Sequence, residues 1–158
     1  CGGMAHVFGF FIDTLFPPHN DVMRARRVTE ESLMRGVSIR RAPSGVYTAL
    51  SYRRPDVRAL IRANKFYRDK RAATLLASIL FDLLIYIEDE HALEPLWKEP
   101  IIVPIPSSTA KKRERGYNQV ENIIESLPQE TLHNLEYMPQ VLARHDRACQ
   151  ARIQKHAR

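Results

Sequence analysis

Ser107, Ser108, Lys111, Lys112, Arg113 and Arg115 stand in one short stretch that closes on Gly116. Four of them are cations within five positions. These are the groups that meet phosphate oxygens. Arginine grips them with a planar fork and lysine as a point charge. Hydroxyls and backbone N–H groups add shorter contacts, especially where a helix begins. A glycine lets the backbone turn or come close to a ligand. A solvated basic loop has the same composition, and spacing alone does not separate the two readings.

A second candidate is the carboxyl-terminal run, where Arg144, Arg147, Gln150, Arg152, Lys155 and Arg158 face a single acid, Asp146. It suits a flexible phosphate-gripping arm or part of a nucleic-acid footprint. It suits the exposed face of an ordinary helix equally well. The six histidines show no metal-ligand spacing, and no Ser/His/Asp set, Walker loop or GxGxxG is present. No nucleophile is identified, so no catalytic residue is named. Cys1 and Cys149 are the only cysteines, too few for a zinc-ribbon set or a disulfide framework. A reducing, cytoplasmic setting follows most simply.

The cationic stretch needs an element to carry it, and Ile101-Ile102-Val103-Pro104-Ile105 has the composition of a short buried strand. Pro104 and Pro106 end it, because a proline nitrogen cannot donate to a ladder. In α/β proteins ligands bind beyond the carboxyl ends of such strands. Around it the periodicity predicts an amphipathic helix over residues 5–16, stopped by Pro17-Pro18 and too short to span a bilayer. Residues 19–44 are polar and basic, with a helix from Thr29 ending at Gly36. A strand is expected over 45–52, and then a helix with Pro55 in its first turn. The run 70–89, with Leu75, Leu76, Ile79, Leu80, Leu83, Leu84 and Ile87 on one face, is a core helix covering the sheet. Val120, Ile123, Ile124 and Leu127 mark another helix, and Leu135–Leu142 a second short strand broken by Pro139. This order favours an α/β fold.

At 158 residues the chain fits one domain, or one with an appendage, and 44% apolar residues permit a core. The charge of +6 points to anionic partners, whether nucleic acid, phosphorylated metabolites or acidic lipid.

Three blocks resemble the ComF family of competence-associated, phosphoribosyltransferase-like proteins. Phe11-Ile12-Asp13-Thr14-Leu15-Phe16-Pro17-Pro18 is similar to its amino-terminal segment, and Tyr52–Phe66 resembles its "Y…VR.LI..LKY" helix. Val103-Pro104-Ile105-Pro106-Ser107, followed by Arg113–Gln119, looks like its "VPVP…R..RGFNQ" segment. Arg144, Arg147, Gln150 and Arg158 fall where the family has its "R…T..Q……R" loop, with Arg147 in place of the usual threonine. Two departures stand out. The cysteines of the zinc ribbon found in many members are absent after Pro18, so no zinc is expected. The "DD..TTG" segment that cradles the 5′-phosphate is absent as well.

The resemblance implies a partial type I phosphoribosyltransferase-like fold with amino-terminal helical segments. Residues 1–44 would form a helical or irregular segment and 45–158 an incomplete phosphoribosyltransferase-like domain. Ser107, Ser108, Lys111, Lys112, Arg113, Arg115 and Gly116 would face a diphosphate, and Arg144, Arg147, Gln150 and Arg158 would form a mobile loop. The implied ligand is phosphoribosyl diphosphate with Mg²⁺, and the implied setting is bacterial DNA uptake. As the amino-terminal portion of such a protein, the chain would be inactive alone. The alternatives are an accessory module that binds single-stranded DNA or competence proteins without transferase activity, and an interaction module docking through the 5–16 helix.

Overall fold

The computed structural model describes residues 20–93 and 100–144. The expected 5–16 helix and the tail beyond Arg144 lie outside them. The chain divides into two compact units, one ending at Ile79 and one starting at Leu80.

In the first unit, α1 (Asn20–Arg27) packs on α3 (Pro55–Tyr67). Val22, Ala25, Val57, Leu60 and Ala63 are buried, as helical spacing of apolar residues requires. Asp21 Oδ2 ties the pair at 2.7 Å from Arg62 Nε. Helix α2 (Glu30–Met34) starts at a capping box. Thr29 Oγ1 accepts from Ser32 N–H and Ser32 Oγ accepts from Thr29 N–H, each at 3.2 Å. Strands β1 (Arg40–Arg41) and β2 (Tyr47–Thr48) form a two-residue antiparallel ladder, so only the middle of the expected 45–52 strand is paired. Pro55 opens α3, as its missing N–H and fixed φ favour. Arg68 in the left-handed region closes it.

Two arginines add donors at helix ends, where Ala25 O and Leu33 O also accept from Val28 N–H and Gly36 N–H. Arg71 donates to Ala25 O at 2.9 Å and to Val28 O at the end of α1. Arg54 donates to Ser32 O and Leu33 O at the end of α2, and through Nε and Nη2 to both oxygens of Asp56. Those bonds hold the Asp56 carboxyl below the usual carboxylate range, although burial pushes the other way.

Helix α4 (Lys70–His91) begins at Asp69, whose Oδ1 accepts from Ala72 N–H at 2.8 Å. The apolar stripe expected over 70–89 is present, but its two halves differ. Ala72, Ala73, Leu75, Leu76 and Ile79 are buried. Leu80, Leu83, Leu84 and Ile87 are only half-buried, and Ile85 is exposed.

In the second unit, β3 (Ile101–Ile102) pairs in parallel with β4 (Glu136–Tyr137), Ile101 opposite Glu136 and Ile102 opposite Tyr137. Parallel strands need a long crossover. Here it holds α5 (Thr109–Arg115), α6 (Gln119–Ile124) and α7 (Gln129–Asn134). The described elements are therefore of mixed α/β class. Strand β3 is shorter and more open than its composition implied: Ile101 is 52% exposed and Ile105 is 69% exposed. Among the described residues β4 is its single partner strand. An apolar cleft of about 660 Å³ is lined by Leu84 and Ile85 of α4, Ile101 and Ile102 of β3, and Thr131 and Leu135. Among the described residues no helix is long and apolar enough to cross a membrane.

Candidate functional site

The site grows from the exit of β3. Pro104 is buried and Ile105 open, and the chain turns at Pro106-Ser107-Ser108 into α5. Ser108 is the N-cap, its Oγ accepting from Lys111 N–H at 3.4 Å. The cationic stretch is thus a helix of seven residues and not an open loop. Gly116 ends it at φ 78°, a left-handed cap open to glycine without strain, and its N–H donates to Lys112 O at 2.8 Å.

Lys112 and Arg113 are exposed and Lys111 half-buried. Among the described residues no ion pair engages these three. Arg115 behaves differently: its Nη1 donates to Gln119 Oε1 at 3.3 Å, turning it back toward the start of α6.

That start is organised by Asn118, which is 2% exposed. Its Oδ1 caps α6 by accepting from Val120 N–H at 3.1 Å. Its Nδ2 donates to Ile105 O at 3.2 Å and to Glu121 Oε1 at 3.0 Å. A backbone carbonyl and a backbone N–H together fix which end of the amide is which. Ser107 Oγ lies 3.2 Å from Asn118 Oδ1 and 3.4 Å from Gln119 Oε1. Both are acceptors, so the hydroxyl proton points inward and only its lone pairs face outward. Nearby, burial first, and the charges of Glu121 and Glu125 second, push the Tyr137 phenol above its ordinary pKa.

The residues expected at a phosphate site therefore divide. Lys111, Lys112 and Arg113 follow one another on a helix just beyond the carboxyl end of a parallel strand, their side chains about 100° apart around its axis. Ser107 and Arg115 belong to a hydrogen-bonded hinge behind it, and Ser108 and Gly116 bound the helix. Arg144 is exposed after β4, while Arg147, Gln150 and Arg158 lie outside the described residues. Asn118 and Gln119 are residues that the phosphate chemistry of the stretch does not point to. Their signal was an asparagine placed directly before the apolar run Val120, Ile123, Ile124 and Leu127, a preferred N-cap position. Among the described residues no group of three metal-ligating side chains occurs.

The class these elements define is α/β, with a short cationic helix following a parallel strand. No protein-family model, curated protein or solved structure matches the chain.

Proposed function

We propose that this protein is a ComF-type phosphoribosyltransferase-like protein in which the turn from Ser107 to Gly116 receives the diphosphate of phosphoribosyl diphosphate. The observation that carries the reading is the position of Lys111, Lys112 and Arg113. They lie just past the carboxyl end of β3, in a parallel pair, where α/β folds bind their ligands. The partial type I phosphoribosyltransferase-like fold belongs to this proposal, as do the DNA-uptake setting and the cytoplasmic location.

Mg²⁺ enters as part of the substrate, since it is held well by phosphate oxygens and its own water. Transfer would form a bond from an acceptor's lone pair to ribose C1 as the C1–diphosphate bond breaks, with the electron pair of the broken bond leaving on the diphosphate. Such a step needs positioning and charge neutralisation more than a protein nucleophile. Lys111, Lys112 and Arg113 would supply the neutralisation, and the Ser107–Asn118–Gln119 hinge would set their place. In the mobile-loop role, Arg144, Arg147 and Arg158 would add cations and Gln150 a neutral amide.

The test is a thermal-shift titration of the full-length protein with phosphoribosyl diphosphate and Mg²⁺. A ligand that binds only the folded state raises its stability by mass action. No rise at about millimolar ligand, a concentration that detects even weak binding, removes the transferase reading.

A second reading, single-stranded nucleic-acid binding without transfer, is favoured by where the charge sits. Residues 1–79 hold 14 of the 24 lysines and arginines but 6 of the 18 acids, a net +8. Residues 80–158 are net −2. The first unit also exposes Tyr52, Phe66 and Tyr67, with Arg62 and Lys65 over the Phe66 ring. Cations tracking a backbone and aromatics stacking bases are what single strands require. Binding that is flat in salt would reject it.

A further inference from the structure

Asn118 is among the few polar residues buried in the described structure, and both polar atoms of its side chain are engaged. Two of its contacts, to Val120 N–H and Glu121, lie within α6. The other two, to Ile105 O and the Ser107 hydroxyl, reach back 13 and 11 residues to the exit of β3. The segment between those anchors contains the whole of α5. One side chain therefore closes the loop that carries the cations.

We infer that Asn118 is a positioning residue: by bridging Ile105 and Ser107 to the start of α6, it fixes the direction in which Lys111, Lys112 and Arg113 meet a diphosphate. The inference rests on the diphosphate reading of the turn. The physical basis is the cost of loop order. Helix α5 has seven residues and buries none of its side chains. Isolated helices this short are not stable in water. Its orientation must come from its ends, and both ends meet at Asn118. With that bridge cut, the cations stay on the chain but sample many directions, and the ordering cost falls on ligand binding.

Two substitutions separate the bridge from the cap. Asn118→Asp retains an oxygen that caps α6, and aspartate is as good an N-cap as asparagine. It places its other oxygen against Ile105 O and Glu121, where the donor is lost and the charges repel. Asn118→Ala removes both functions. The probe is inorganic diphosphate with Mg²⁺, titrated calorimetrically. Amide hydrogen exchange over residues 105–116 is followed in parallel, with melting temperature as the measure of folding.

The expected result is that both variants bind diphosphate about ten-fold more weakly, the equivalent of one buried hydrogen bond. Both should exchange faster over 105–116, while Asn118→Asp melts closer to wild type than Asn118→Ala. Wild-type affinity in folded Asn118→Asp overturns the inference, and so does unchanged exchange over 105–116. If the wild-type chain itself fails to bind, the diphosphate reading falls and the ligand half of the inference falls with it. In that case exchange still decides whether Asn118 holds the loop.

Discussion

Arg54 offers the sharpest test of how the first unit is held. Its guanidinium donates to Ser32 O at 3.2 Å and to Leu33 O at 3.5 Å, and it clasps Asp56 with contacts of 3.2 and 2.5 Å. It also lies over Gly36: a Cβ there would overlap the guanidinium. Arg54→Met keeps an apolar stem and deletes every one of these bonds. The carbonyl bonds contribute about 1 kcal/mol together, since both are long, and the partly exposed ion pair about 1 kcal/mol more. The expected loss is about 2 kcal/mol, or roughly 5 °C in melting temperature for a chain of this size.

Gly36→Ala should cost a similar amount by a different route, expelling the guanidinium from its seat. The two changes should not add. In the Arg54→Met background Gly36→Ala should cost less than about 0.5 kcal/mol, because the overlapping group is gone. Acid supplies an independent check. The folded pKa of Asp56 is depressed, so its contribution is present above the ordinary carboxylate pKa of about 4 and is lost as pH falls through the lower folded value. The gap between wild type and Arg54→Met should therefore narrow below about pH 4. Urea unfolding of the four proteins at neutral and acidic pH measures all of this. Additive losses, or a gap independent of pH, would refute the account of Arg54.

Leu60, a fully buried residue of α3, should cost roughly 2–5 kcal/mol as Leu60→Ala by chemical denaturation. Gly116→Ala places a side chain at φ 78° and should destabilise α5 by about 1 kcal/mol, seen as faster exchange of residues 109–115. Replacing Lys111, Lys112 and Arg113 together by alanine should lower diphosphate affinity by about ten-fold or more at low salt while leaving the melting temperature within about 2 °C. Affinity unchanged by that triple variant would move the site elsewhere. The folded pKa of Tyr137 is raised, so its contribution is present below the ordinary phenol pKa of about 10 and fades as pH rises toward the folded value. Tyr137→Phe should flatten the fall in stability above that pH.

Local signals were strong enough to read most of the helices. The three- and four-residue spacing in 70–89 produced Lys70–His91, Pro55 began α3, and Thr29 began α2. Each depends on contacts a few residues apart. The strands were legible only as places. Both ladders are two residues long, and which partner each strand takes depends on residues 6 to 35 positions away. The cationic stretch read as a loop because its charges show no apolar periodicity. Its helix is set by Ser108 and Gly116 at its ends.

The sequence by itself determined which groups are available for anion chemistry, because side-chain charge and hydroxyl content do not depend on folding. It also determined where α2 and α3 start, through Thr29 and Pro55. Only the tertiary structure decided which of those groups face outward. Ser107 and Arg115 turn inward to Asn118 and Gln119, while Lys112 and Arg113 remain exposed. That division follows from a buried amide whose partners lie 11 and 13 residues back along the chain, a relation that composition and local spacing do not encode.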